Sequence, residues 1–134
     1  MEFICFMNIL YRYGKKLLED MLVDKEINMQ ELIVLLVVSK SEGILQSKLN
    51  NFVGLDKGNF SNFLKNLEKK ELVYRRKSKE FHSQNLCYLT DLGKSLVPEL
   101  EYTLKEWKKL LIKNIDDENL NSFDKTSLEI SKNI

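Results

Sequence analysis

The stretch Leu55–Arg76, LDKGNFSNFLKNLEKKELVYRR, decides how the rest of the chain is read. Phe60, Phe63, Leu64 and Leu67 fall at i, i+3, i+4 and i+7, the spacing that gathers apolar side chains into one stripe of an α-helix. The opposite face carries Gly58, Asn62, Lys65 and Lys69, flanked by Asn59, Ser61 and Asn66. Amides and a hydroxyl can read hydrogen-bonding base edges, and ammonium groups can neutralise phosphates. The segment therefore predicts an amphipathic helix over 56–70 whose polar face suits a DNA groove, running directly into a basic strand.

Upstream, Ile44 to Phe52 reads as a short helix, apolar at Ile44, Leu45, Leu49 and Phe52. Val53-Gly54-Leu55 makes a turn, and Asp56 caps the helix over 56–70. Helix, tight Gly-containing turn, helix is the helix-turn-helix pattern, in which the second helix enters the major groove. Before it, Asn28 and Glu31 have capping-box spacing and open a helix whose core, Leu32–Val38, is apolar on nearly every side. Its β-branched residues would also suit a strand; the cap and the length to Lys40 predict a central buried helix. Gly43 suits the left-handed position that ends one.

Downstream, Leu72–Arg76 and Leu86–Leu89 read as strands joined by the polar, basic KSKEFHSQN. A hairpin at this place is a wing (75–88), with Lys77, Lys79, His82 and Gln84 at its tip able to reach phosphate or a minor groove. A hairpin charged only for solubility would have the same composition. Thr90 and Asp91 suit the start of a long helix to about residue 114, and Pro98 predicts a kink within it. Asp116 or Asp117 caps a last helix bearing Leu120, Phe123, Leu128 and Ile130. The first helix, from Glu2 to about Val23, carries Phe3, Phe6, Met7, Leu10, Leu17, Leu18, Met21 and Leu22, with a bend expected at Gly14. Its apolar surface is wide for a helix lying singly on a small core. Core helix and dimer contact both fit it.

With 134 residues the chain is one domain in size, and its single Pro and five Gly favour long helices. Net charge is only +1, but it is unevenly placed. Between Gln46 and Asn85 nine Lys or Arg meet four acids, while elsewhere twelve basic residues meet sixteen acids. A basic middle on an acidic remainder suits a polyanion-binding module. Cys5, Cys87 and the single His make no metal-ligand spacing, so neither metal nor cofactor is expected. No Gly-rich phosphate loop and no His/Cys/carboxylate cluster suggests an enzyme. No apolar run reaches the roughly 18 residues of a membrane span, and a cytoplasmic location is expected.

In these segments the sequence resembles the MarR family of winged helix-turn-helix regulators, from about Asn28 to Lys94. Leu55–Arg75 lies in register with the family's Leu-Asp-Lys, recognition helix, Leu-Glu-Lys-Lys, Leu-Val and Arg, and LTDLGKSL at Leu89–Leu96 matches its Leu-Thr-x-x-Gly element. The resemblance implies a mainly α fold with a small β-hairpin wing. It divides the chain 1–134 into a DNA-binding region, 28–94, and dimerisation helices, 1–24 and 95–134. It also implies a homodimeric, sequence-specific transcription regulator, most often a repressor, on a pseudo-palindromic double-stranded DNA site, with a small aromatic effector in many members. Carried onto this chain, Asn59, Ser61, Asn62 and Lys65 would touch bases. Lys57, Gly58, Lys69, Arg75, Arg76, Lys77, Lys79, His82 and Gln84 would serve backbone or wing contacts. Tyr11, Tyr13, Met29, Tyr102 and Trp107 suit an aromatic pocket and equally suit ordinary core positions.

Several positions depart from the family pattern. The wing's usual Asp-x-Arg pair is Phe81 and Ser83, the usual Gly after the recognition helix is Glu71, and a frequent Arg within that helix is Asn62. Asn favours adenine N6/N7 where Arg favours guanine O6/N7, so an A·T-leaning site is expected. The departures also keep a second reading open, a winged-helix protein-interaction module with a decayed DNA face. One branch of the family senses hydroperoxides through an N-terminal Cys. Cys5 lies one residue out of that register, and a buried, packing role is expected for it.

Overall fold

The computed structural model describes residues 1–134. In chain order its elements are α1 (Phe3–Ile9), a π-helical turn (Leu10–Gly14), α2 (Lys15–Met21), a 3-10 turn (Val23–Lys25), α3 (Met29–Lys40), β1 (Ile44–Leu45), α4 (Gln46–Asn50), α5 (Lys57–Lys69), β2 (Val73–Lys77), β3 (Asn85–Leu89), α6 (Asp91–Leu111) and α7 (Asp117–Lys132). The fold is mainly helical with one small antiparallel sheet, ordered β1-β3-β2.

Local capping chemistry sets most helix starts. The Asn28 side chain accepts from the Glu31 N–H at 2.8 Å, and the Glu31 carboxylate accepts from the Asn28 N–H at 3.1 Å, a complete capping box. Asp56, Thr90 and Asp116 each accept from the N–H three residues on. Being apolar all round, α3 cannot lie at the surface. It sits centrally against α2, α4, α6 and β3, with Val34, Leu35 and Val38 fully buried. Phe60, Leu64 and Leu67 of α5 close the same core with Leu49, Cys87, Leu89 and Leu100. Each such side chain contributes about 1.5–3 kcal/mol by leaving water.

Two expectations change. Ile44 and Leu45 do not begin the short helix; they pair with Cys87 and Leu86 as a third strand, and the helix starts at Gln46. Two residues hold no periodicity, and the pairing comes from β3, some forty positions away. Pro98, where a kink is expected, lies within the continuous span of α6. Cys5 is exposed, because α1 lies beyond the core and buries none of its residues. At Gly14, where a bend is expected, the helix passes through the π turn. There the Gly14 carbonyl accepts from the Trp107 indole N–H at 2.9 Å, fastening the first helix to α6.

The turn from α5 to β2 is a left-handed helix stop. Leu72 N–H reaches back to the Leu67 carbonyl at 3.1 Å, and Glu71 takes φ +60°, where glycine carries no Cβ penalty. Glu71→Gly is therefore expected to raise stability by about 0.5–1 kcal/mol, read as a higher urea midpoint at unchanged slope.

Candidate nucleic-acid interface

The polar face of α5 is open. Lys57, Gly58, Asn59, Asn62, Lys65 and Lys69 are exposed, and Ser61 is half-buried at the helix flank. A Cβ added at Gly58 would meet nothing nearer than Asp56 Oδ1 at 4.0 Å, so the backbone there is uncovered. Asn62 and Lys65 make no side-chain hydrogen bond with the rest of the chain. Asn59 is partly engaged, since its Nδ2 donates to Asp56 Oδ2 at 2.9 Å and thickens the helix cap. Lys70 is turned away to the core side, where its ammonium donates to Glu31 Oε2 at 2.8 Å and the Glu26 carbonyl at 2.7 Å.

The wing is an ordered hairpin. Its register sets Val73 opposite Leu89, Tyr74 opposite Tyr88, Arg75 opposite Cys87, Arg76 opposite Leu86 and Lys77 opposite Asn85. Because strand side chains alternate, Tyr74 and Arg76 share one face, and Val73, Arg75 and Lys77 the other. On the first face the Tyr74 and Tyr88 rings stack at 5.2 Å between centroids. The Arg76 guanidinium lies over both, 5.2 and 6.0 Å from the ring centres, a cation–π arrangement that leaves it exposed but oriented. At the tip Ser78 is buried, and its hydroxyl accepts from the N–H groups of Glu80 and Phe81. Ser78 N–H donates to the Gln84 carbonyl at 2.7 Å. His82 and Ser83 then turn back with φ +49° and +62°, leaving Lys79, Phe81, His82 and Gln84 exposed.

Arg75 differs from the other basic residues. Its Nε donates to Glu68 Oε1 at 2.6 Å, and its Nη1 donates to Gln46 Oε1 and Ser61 Oγ, both at 3.2 Å. Gln46 Oε1 also accepts from Asn85 Nδ2 at 3.2 Å. Only 13% of the Arg75 side chain is exposed. Sequence reasoning grouped it with the surface charges because its partners lie 7, 14 and 29 positions away. The Arg76 platform was missed as well, although two tyrosines flanking the hairpin were a visible signal. Behind Arg75, burial pushes the Cys87 thiol up to about 11, with Arg75 lowering it and Glu68 raising it less strongly. The thiol stays protonated and acts as packing.

Beyond this region the ends of the chain present apolar surface. Phe6 and Leu10, Trp107, Leu111, Ile112 and Ile115 around the end of α6, and Leu120 and Phe123 of α7 line a groove of about 510 Å³. Of the five residues that suit either an aromatic pocket or the core, Trp107 lines this groove and packs on the core, Met29 packs on the core, and Tyr11, Tyr13 and Tyr102 are exposed elsewhere. No helix is long and apolar enough to cross a membrane.

Comparison with known proteins agrees with this geometry. The model of the MarR family matches residues 27–80. None of the curated proteins matches the sequence. Among solved structures, a MarR transcriptional regulator from Methanosarcina mazei Go1 is 22% identical with a TM-score of 0.88, the alignment covering 98% of this chain and 96% of that one. Wild-type MarR of E. coli, in its apo form, is 17% identical at TM-score 0.82 over 97% of each chain. CouR, a transcriptional repressor bound to a 23-mer DNA duplex, is 16% identical at TM-score 0.87, covering 97% of this chain and 92% of that one. These likenesses establish a shared fold along almost the whole chain.

Proposed function

From a chain whose residues 27–80 are a MarR-family region and whose length takes the fold of that family's regulators, we propose a homodimeric, sequence-specific DNA-binding transcription regulator that represses by occupying its site. The observation that carries the reading is the exposed, unspent polar face of α5 beside an ordered basic wing. In this reading α5 lies in the major groove. Asn62 and Lys65 read bases with Ser61, and Asn59 adds what its cap bond leaves free. Lys57, Lys69 and the Gly58 backbone meet phosphates along the helix, while Arg76, Lys77, Lys79, His82 and Gln84 meet backbone or minor groove from the wing. The apolar ends of two copies join, which spaces two recognition helices for half-sites about 10 bp apart.

Selection of bound sequences from a random duplex pool tests the whole proposal. The expected result is a two-fold symmetric, A·T-leaning consensus. Asn62→Ala is expected to cost about 1–3 kcal/mol on that consensus and nothing on random DNA; equal losses on both would remove Asn62 from the base readers. A G-rich consensus opposite Asn62 would overturn the adenine preference. Failure to bind mixed DNA even at low salt would instead favour the winged-helix interaction module, a reading that the inward commitment of Arg75 also suits.

A further inference from the structure

We propose that Arg75 is a positioning residue that clamps the wing onto the recognition helix, so that the two meet DNA as one rigid unit, and that it makes no phosphate contact of its own. The inference rests on the DNA-binding reading above. A short turn links α5 to β2, and a hairpin joined in this way can rock about its base. Arg75 opposes that motion from the inner face of the sheet. Its fork takes Glu68 and Ser61, two turns apart on α5, and Gln46 at the start of α4. Gln46 in turn holds Asn85 at the first residue of β3. One guanidinium thus ties both wing strands to both helices of the helix-turn-helix.

Two features argue against release to phosphate. The side chain is 13% exposed and stands opposite the fully buried Cys87. Withdrawing it would also leave the Glu68 carboxylate and the Ser61 oxygen without this donor in a partly buried place, and Gln46 Oε1 with Asn85 alone. Occupation by Arg75 also leaves Ser61 its hydroxyl proton to donate outward, so the same contact orients a base-reading group. Lysine would supply the charge but not the planar fork.

The sign of one substitution separates clamp from contact. Glu68→Gln removes a negative charge from the DNA-binding region, and Coulomb attraction alone would tighten binding; a clamp that loses its anchor weakens it. The full-length protein and its Glu68→Gln, Arg75→Lys and Lys77→Ala variants are titrated on the selected site by fluorescence anisotropy across a salt series. Amide hydrogen exchange of the free proteins is followed in parallel. Expected are affinities about tenfold weaker for Glu68→Gln and Arg75→Lys with the salt slope of the wild type. Lys77→Ala, by contrast, should lower the slope by about 0.9. Exchange over 77–85 should accelerate by about fivefold or more in the two clamp variants while α3 keeps its protection. Equal or tighter binding by Glu68→Gln, or unchanged wing exchange in both clamp variants, overturns the proposal. If the wild type binds no DNA, the functional reading fails while the exchange arm still decides whether the clamp exists.

Discussion

A chain carrying Leu10→Asp and Phe123→Asp is expected to run as a monomer and to bind its DNA site about 100-fold more weakly than the wild type. Both positions are already exposed within the single chain, at 39% and 52%, so the substitutions leave the protomer core untouched. What they alter is the apolar surface at the chain ends, where α1 and α7 contain no buried residue at all. Phe3, Met7, Leu110 and Leu128 extend that surface, each at least half exposed. Monomers rarely expose contiguous apolar patches beyond a few hundred Å², and a second copy of the same helices offers complementary apolar area by symmetry. A charge on each side of such an interface must be desolvated without a partner. On the proposed homodimeric reading, loss of the dimer would convert two linked half-site contacts into one, which is the source of the large expected effect on DNA. Light scattering after size exclusion, together with a gel shift and helical circular dichroism, checks the result. A double variant that stays dimeric would place the interface elsewhere.

Gly93→Ala is expected to destabilise the fold by about 3 kcal/mol, lowering Tm by about 10 °C. A Cβ at this position would overlap the Leu72 carbonyl oxygen and press on its carbon at 3.2 Å. That carbonyl is main chain and cannot rotate away. It also accepts from Thr90 N–H at 3.1 Å, while the Thr90 hydroxyl donates to the Glu71 carbonyl at 2.5 Å. The start of α6 is therefore pinned against the turn between α5 and β2, and moving it strains both bonds. Gly58→Ala provides the contrast in the same protein. That site has open space around it and lies in the first turn of α5, so alanine's better helix propensity should raise stability by up to about 1 kcal/mol. Thermal melts of the two variants should shift in opposite directions.

Legibility in the sequence followed distance along the chain. The stripe Phe60–Phe63–Leu64–Leu67, the caps at Asn28, Asp56 and Thr90, and the left-handed Gly43 rest on residues within seven positions of one another, and each appears in the structure as read. The hairpin was legible as two short β-rich runs around a polar connection, and its strands lie within a residue of the reading. Cys5 was misjudged because an apolar helix looks the same whether its stripe meets its own core or another chain. β1 was missed for want of length.

By itself, the sequence determined an amphipathic recognition-type helix, a wholly apolar central helix and a basic wing after them, because periodicity and capping act within one turn of helix or a few residues of strand. Tertiary structure decided which charges remain available. It spent Arg75 on Glu68, Gln46 and Ser61, and Lys70 on Glu31 and the Glu26 carbonyl. It also stacked Tyr74 on Tyr88 beneath Arg76, and set Gly93 against the Leu72 carbonyl. Each of these depends on sheet register and helix packing that bring distant positions within about 3–6 Å, the range over which hydrogen bonds and cation–π attraction act, and no local pattern encodes that approach.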